Sequence, residues 1–157
     1  MIAEIYHKSV DIGSEDQLTG NVFGGLRYMP YPLARQIIIN SIHPISTSEL
    51  LNETMPPDIS VEWGQSVHFW KHYTNSQTEP DIVMELGQVV ILIEVKYNSN
   101  LSGNNQLIRE AELLTKNYPD KIKFLILLAR EDSATAIYND NKLNIISEDL
   151  PVLGGLI

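Results

Sequence analysis

Asp81, Glu94 and Lys96 are the residues whose types and spacing could do chemistry, and they bracket an otherwise apolar stretch. Two β-rich runs, Ile82 to Leu86 and Val89 to Tyr97, flank Gly87-Gln88, and a two-residue loop with glycine first predicts a hairpin closed by a type II′ turn. Cross-strand partners then keep a constant sum of positions. Leu86 falls opposite Val89, Val83 opposite Leu92, Asp81 opposite Glu94 and Glu79 opposite Lys96. Directly opposed side chains sit roughly 5 Å apart, so two like charges there repel unless they share a hard cation, for which that separation is suitable. The plainer alternative is a solvated ionic ladder in which Lys96 pairs with Glu79 or Glu94.

Alternation along the strands places Ile82, Met84, Leu86, Val89, Ile91, Ile93, Val95 and Tyr97 on one apolar face. Asp81, Val83, Glu85, Val90, Leu92, Glu94 and Lys96 occupy the other, with the charges gathered at the end away from the turn. Elements on either side must hold this hairpin. Ser14-Glu15-Asp16-Gln17 carries a capping-box signature and two acids for the first turn of a helix whose stripe is Leu18, Val22, Leu26 and Met29. Gly24-Gly25 inside it implies either close approach of a packed strand or a simple bend. Pro30 and Pro32 end that helix, and a second is expected from about Leu33 to Ile42.

Residues His43 to Asp58 read as a polar surface connection with one helical turn near Ser46 to Leu51. Alternating Val61, Trp63, Val67 and Phe69 predict a strand over Ile59 to Tyr73, on which His68 and His72 would stand roughly 13 Å apart. That distance favours two ordinary histidines over a zinc pair. After the hairpin, a helix is expected from about Asn105 to Asn117 with Leu107, Ala111, Leu114 and Tyr118 inward and Gln106, Arg109, Glu110 and Leu113 off that stripe. Ile122 to Leu128 has the continuous apolar run of a strand buried on both faces. A helix near Ser133 to Tyr138, a turn at Asn139-Asp140-Asn141 and a strand near Leu143 to Ile146 follow, and Leu150 to Ile157 is either an edge strand or the start of further chain.

The 157 residues suit one domain. Without cysteine the chain has no disulfides and no thiolate ligands, so any metal would be held by oxygen or imidazole. Eleven Lys and Arg against 20 Asp and Glu give a net charge of −9, which counts against a nonspecific nucleic-acid binder. There is no basic leader before an apolar run and no apolar stretch of roughly 18 residues, so a soluble, cytoplasmic protein with no membrane partner is expected.

The order helix, strand, strand, strand, helix, strand, with Pro80-Asp81 on the second strand and Glu94-Val95-Lys96 on the third, resembles the PD-(D/E)XK nuclease superfamily. The resemblance implies an α/β fold with a restriction-endonuclease-like core, a mixed four- to five-stranded sheet flanked by helices. That core would span about residues 14 to 130 of a single domain, with further elements over 131 to 157. It also implies that Asp81, Glu94, the Val95 carbonyl and Glu15 bind Mg²⁺ or Mn²⁺, with Asp16 an alternative to Glu15. Lys96 would match the family lysine, and Gln106 the glutamine that several branches carry on the following helix. The implied activity is hydrolysis of phosphodiester bonds in nucleic acid, DNA foremost, in a bacterial defence or repair setting. Glu110 stands where some branches have tyrosine. A non-catalytic binding or assembly domain on the same fold is the alternative. An acidic nuclease would need a local basic surface, from a homodimer, a further domain, or Lys8, Arg27, Lys71 and Arg109.

Overall fold

The hairpin forms in the expected register. In the computed structural model, which describes residues 15–59, 63–74, 76, 78–96 and 105–129 and the backbone of 152–156, the third and fourth strands are β3 (Ile82–Leu86) and β4 (Val89–Lys96). Leu86 pairs with Val89 and Val83 with Leu92. Gly87 takes a φ of 63°, and Gln88 is not in the left-handed region, the combination that a type II′ loop requires.

The preceding elements are α1 (Glu15–Arg27), α2 (Tyr31–Ser41), β1 (Ile42–His43), α3 (Ile45–Thr54), a 3₁₀ turn at Trp63–Ser66 and β2 (Val67–Phe69); α4 (Gln106–Asn117), β5 (Ile122–Ala129) and β6 (Val152–Leu156) follow the hairpin. The sheet runs β1-β6-β5-β4-β3-β2. β4 pairs parallel with β5, and β5 with β6, while the remaining neighbours are antiparallel. The mixed sheet expected from sequence is therefore present as four strands of five residues or more, extended at its edges by the two-residue β1 and three-residue β2. A parallel neighbour needs a crossover, and α4 supplies it between β4 and β5.

Helices cover both faces, which is why β4 reads as a continuous apolar run from Val89 to Ile93. On one face Ile82, Met84, Ile91, Ile93, Phe124 and Ile126 pack with Phe23 of α1, Ile38 of α2 and Leu51 of α3. On the other, Val83, Val90, Leu92 and Leu125 meet Leu107, Ala111, Leu114 and Tyr118. Burying each large aliphatic side chain in these layers contributes roughly 1.5–3 kcal/mol, and the rigid sheet end they create carries the charged residues.

Three expectations need correction. The supposed surface connection holds a full helix, α3, because Thr47, Leu51 and Met55 recur every four residues and are buried. Its last carbonyls, which a helix leaves unsatisfied, accept from Arg35, whose Nη2 lies 2.7 Å from the Asn52 carbonyl and 3.2 Å from that of Met55. The strand expected over Ile59 to Tyr73 shrinks to β2. Trp63 is drawn inward instead, its Nε1 donating to the Met29 carbonyl at 2.8 Å and its ring 5.8 Å from that of Tyr31. Gly64 allows this approach, since a Cβ there would come within 2.9 Å of the Arg27 carbonyl oxygen. At the other end Trp70, with a φ of 47°, turns the chain out of the strand. Finally, β6 is not an edge strand: it lies between β5 and β1. The expected elements at Ser133 to Ile146, the Ser14 cap and Lys8 lie outside the described residues.

Candidate functional site

Glu94 and Lys96 share the β4 face that carries Val90 and Leu92, so both side chains point toward α4 at the end of the strand. Glu94 is 2% exposed. Its Oε1 accepts from Lys96 Nζ at 2.6 Å and from Gln106 Nε2 at 2.5 Å. Gln106 opens α4, and the same Nε2 donates to Glu110 Oε1 at 3.1 Å one turn later. From the other layer, the first residue of α1 brings Glu15 Oε2 to 3.9 Å from Lys96 Nζ. Elements far apart in sequence thus meet at one end of the sheet.

Asp81 joins them differently from the expected way. The ladder stops at Ile82 opposite Ile93, and Asp81 is not a strand residue facing Glu94. Its Oδ2 accepts instead from the Val95 N–H at 2.8 Å, while its carbonyl accepts from Trp70 N–H at 3.0 Å. The pairing of Glu79 with Lys96 fails for the same reason, and Lys96 turns to Glu94. Of the two acids that could have represented α1, Glu15 contacts Lys96 and the charge of Asp16 reaches Asp81.

Electrostatically the cluster holds more acid than base. Burial, then the neighbouring Glu94 carboxylate, push Asp81 up to about 7 against the opposing pull of the Val95 N–H and Lys96. Burial likewise holds Glu110 well above the usual carboxylate range, and Glu94 adds to it. Burial lowers Lys96, but the hydrogen bond and charge of Glu94, with the charges of Asp81 and Glu15, outweigh it and raise its pKa. Glu110 is 0% exposed and is held by hydrogen bonds to Glu94 and Gln106. Several carboxyl groups gathered around one ammonium are a donor set suited to a hard divalent cation. Among the described residues, no three carboxylates or imidazoles already converge as a formed metal site. Glu94 Oε1 faces Lys96 and Gln106 instead.

Glu110 is the residue that sequence reasoning missed. It and Gln106 were expected off the packed stripe, yet both are buried, because the charged end of β4 extends the surface that α4 covers. Their four-residue spacing, which puts both on one helix face, was the available signal. His68 Nε2 lies 3.6 Å from Glu85 Oε1, whereas His72 is exposed beside α4. Of the expected basic residues, Arg27 donates to the Gly64 carbonyl at 2.7 Å and Lys71 is bonded to Glu85. Arg109 is exposed on α4.

The Glu85 group is a second polar network, nearer the hairpin turn. Lys71 and Tyr118 both donate to Glu85 Oε1, and Tyr73 and Tyr118 hydroxyls lie 2.9 Å apart. Burial would raise Glu85, but these hydrogen bonds and the charges of Lys71 and His68 hold it below its ordinary 4.5. A depressed folded-state pKa contributes stability above the unfolded value and loses it as pH falls through the folded one. Glu85→Gln should therefore lower stability at pH 7 by about 1 kcal/mol, and the deficit should close in acid. Urea midpoints at pH 7 and pH 3 check this, and equal midpoints at pH 7 would show the network to be energetically silent.

Comparison of the chain with family models, with curated protein sequences and with solved structures returned no match. Among the described residues no helix is long and apolar enough to cross a membrane.

Proposed function

We propose that the cluster at the end of β4 is the active site of a divalent-cation-dependent phosphodiesterase that hydrolyses nucleic acid, DNA foremost. The observation that supports it is the meeting of Asp81, Glu94, Lys96, Gln106 and Glu15, from α1, β4, α4 and the segment before β3, around an excess of carboxyl groups. In this reading the chain has a restriction-endonuclease-like fold, and Asp81, Glu94, the Val95 carbonyl and Glu15 hold Mg²⁺ or Mn²⁺. The cation, when held there, would lower the pKa of a bound water and offset charge on the phosphate.

The chain's own residues divide the remaining work. Lys96, on the strand beside Glu94, orients the attacking water or stabilises the charge that grows on the phosphoryl oxygens. Gln106 fixes the Glu94 carboxylate from α4, and the Val95 N–H fixes that of Asp81. Water oxygen bonds to phosphorus as the ester P–O bond breaks, which leaves a phosphate monoester and an alcohol. A cleavage screen over single- and double-stranded DNA and RNA with Mg²⁺ or Mn²⁺ tests the proposal. Activity with the cation, lost in Lys96→Ala, is the expected result. No cleavage of any substrate, together with no cation-induced rise in Tm, would overturn it.

One observation favours the non-catalytic reading: Glu94 Oε1 is already satisfied by Lys96 and Gln106. A binding or assembly domain would keep that closed network when divalent cation is added. The same screen and melting measurements separate the two readings.

A further inference from the structure

The long-range charge of this chain repels polyanions, and Arg27 and Lys71 are bonded internally. A groove of about 380 Å³ lies against the face of α4 that carries cations. One wall is α4, where Arg109 and Lys116 flank Glu112. The other is the segment before Asp81, with His72 and the hydroxyls of Thr74, Ser76 and Thr78, and the buried Tyr73 and Leu113 form part of the lining. The Ser76 Oγ accepts from the Thr78 N–H at 3.0 Å, which leaves its own proton to donate outward.

Each wall is continuous in the chain with a residue of the cluster. α4 sends Gln106 and Glu110 into the cluster from one side and Arg109, Glu112 and Lys116 to the groove from another. The opposite wall runs from Thr78 through Pro80 into Asp81. We propose that this groove seats the phosphate backbone of the nucleic-acid strand as it approaches Asp81. The assignment to substrate rests on the phosphodiesterase reading, while the anion chemistry of the groove does not. Cationic side chains and hydroxyl donors fit phosphodiester oxygens, with no arrangement here that would read a base. Glu112, between the two cations, limits the affinity.

Binding of a labelled single-stranded oligothymidylate in EDTA, which prevents metal-dependent cleavage, tests the proposal across a salt series. The double variant Arg109→Ala/Lys116→Ala should bind roughly tenfold more weakly than wild type at low salt, and its salt slope should fall by about 1.4, the value for two phosphate contacts on a single strand. Glu112→Gln should shift affinity the other way. Lys121→Ala, a cation outside the groove stacked 5.6 Å from the Tyr118 ring centroid, should change little. All four positions are at least partly solvent-exposed, so folding is not at risk. Unchanged binding in the double variant, or equal losses in it and Lys121→Ala, would overturn the groove. Cleavage by wild type with unchanged binding in the double variant removes the groove and keeps the phosphodiesterase. Groove-dependent binding without cleavage removes the phosphodiesterase and keeps the groove.

Discussion

Asp81→Asn should abolish metal-dependent cleavage and, in the same preparation, make the metal-free protein more stable at neutral pH. The carboxylate is desolvated and feels the charge of Glu94, and its folded-state pKa is pushed up to about 7 from an ordinary 3.8. A raised folded-state pKa means that the native state binds the proton better. Its contribution is fully favourable below the unfolded pKa, fades as pH rises to about 7, and is gone above it, where the ionised group burdens the fold. A shift of this size corresponds to about 4 kcal/mol at most, and asparagine should recover about half of it because its amide oxygen can still accept from the Val95 N–H. For a chain of 157 residues that is a Tm gain of roughly 4–8 °C. Thermal melts at pH 5 and pH 8 in EDTA check the sign, since the gain should shrink in acid. Added Mg²⁺ should then stabilise wild type and not the variant. A variant less stable than wild type at pH 8 in EDTA would show that the carboxylate charge is compensated by something other than a cation.

Lys96→Met should have the opposite effect on the metal-free fold. The ammonium side chain is 12% exposed and sits 2.6 Å from a Glu94 side chain that is 3% exposed. Its pKa is raised, so its contribution is fully present at pH 7 and is lost only above its ordinary 10.5. Removing one partner of such a buried pair leaves the other uncompensated, at a cost of about 3–5 kcal/mol. Here the charge of the neighbouring Asp81, which Lys96 also offsets, adds to the repulsion. Denaturant midpoints should fall at pH 7 and recover toward pH 4 as carboxyls take up protons, and Mg²⁺ should restore part of the loss while cleavage stays absent. Wild-type stability at pH 7 would mean that the cluster does not depend on Lys96 for charge balance.

These residues were legible to different depths. The hairpin could be registered from sequence because a two-residue loop beginning with glycine leaves one pairing, and β5 because only a strand covered on both faces tolerates so continuous an apolar run. Asp81, Glu94 and Lys96 were singled out by that register, although the ladder stops before Asp81 and their expected pairings fail, while Gln106 and Glu15 depended on a family resemblance and contact Glu94 and Lys96. What escaped were effects decided by tertiary contact. Glu110 looks like a solvent-facing helix residue until the charged end of β4 is laid against it. The strand around Trp63 looked regular because its alternation does not reveal the close approach at Gly64 or the left-handed turn at Trp70. The position of β6 between β5 and β1 is a nonlocal choice with no mark in Val152 to Leu156.

The two short strands at the sheet margins bear on how copies of this protein could associate. β1 has two residues, and β2 has three before Trp70 turns the chain away. Such margins offer few unpaired backbone groups to an incoming strand, a common defence against edge-to-edge aggregation. Among the described residues, then, neither margin offers a second copy more than three residues of strand to extend.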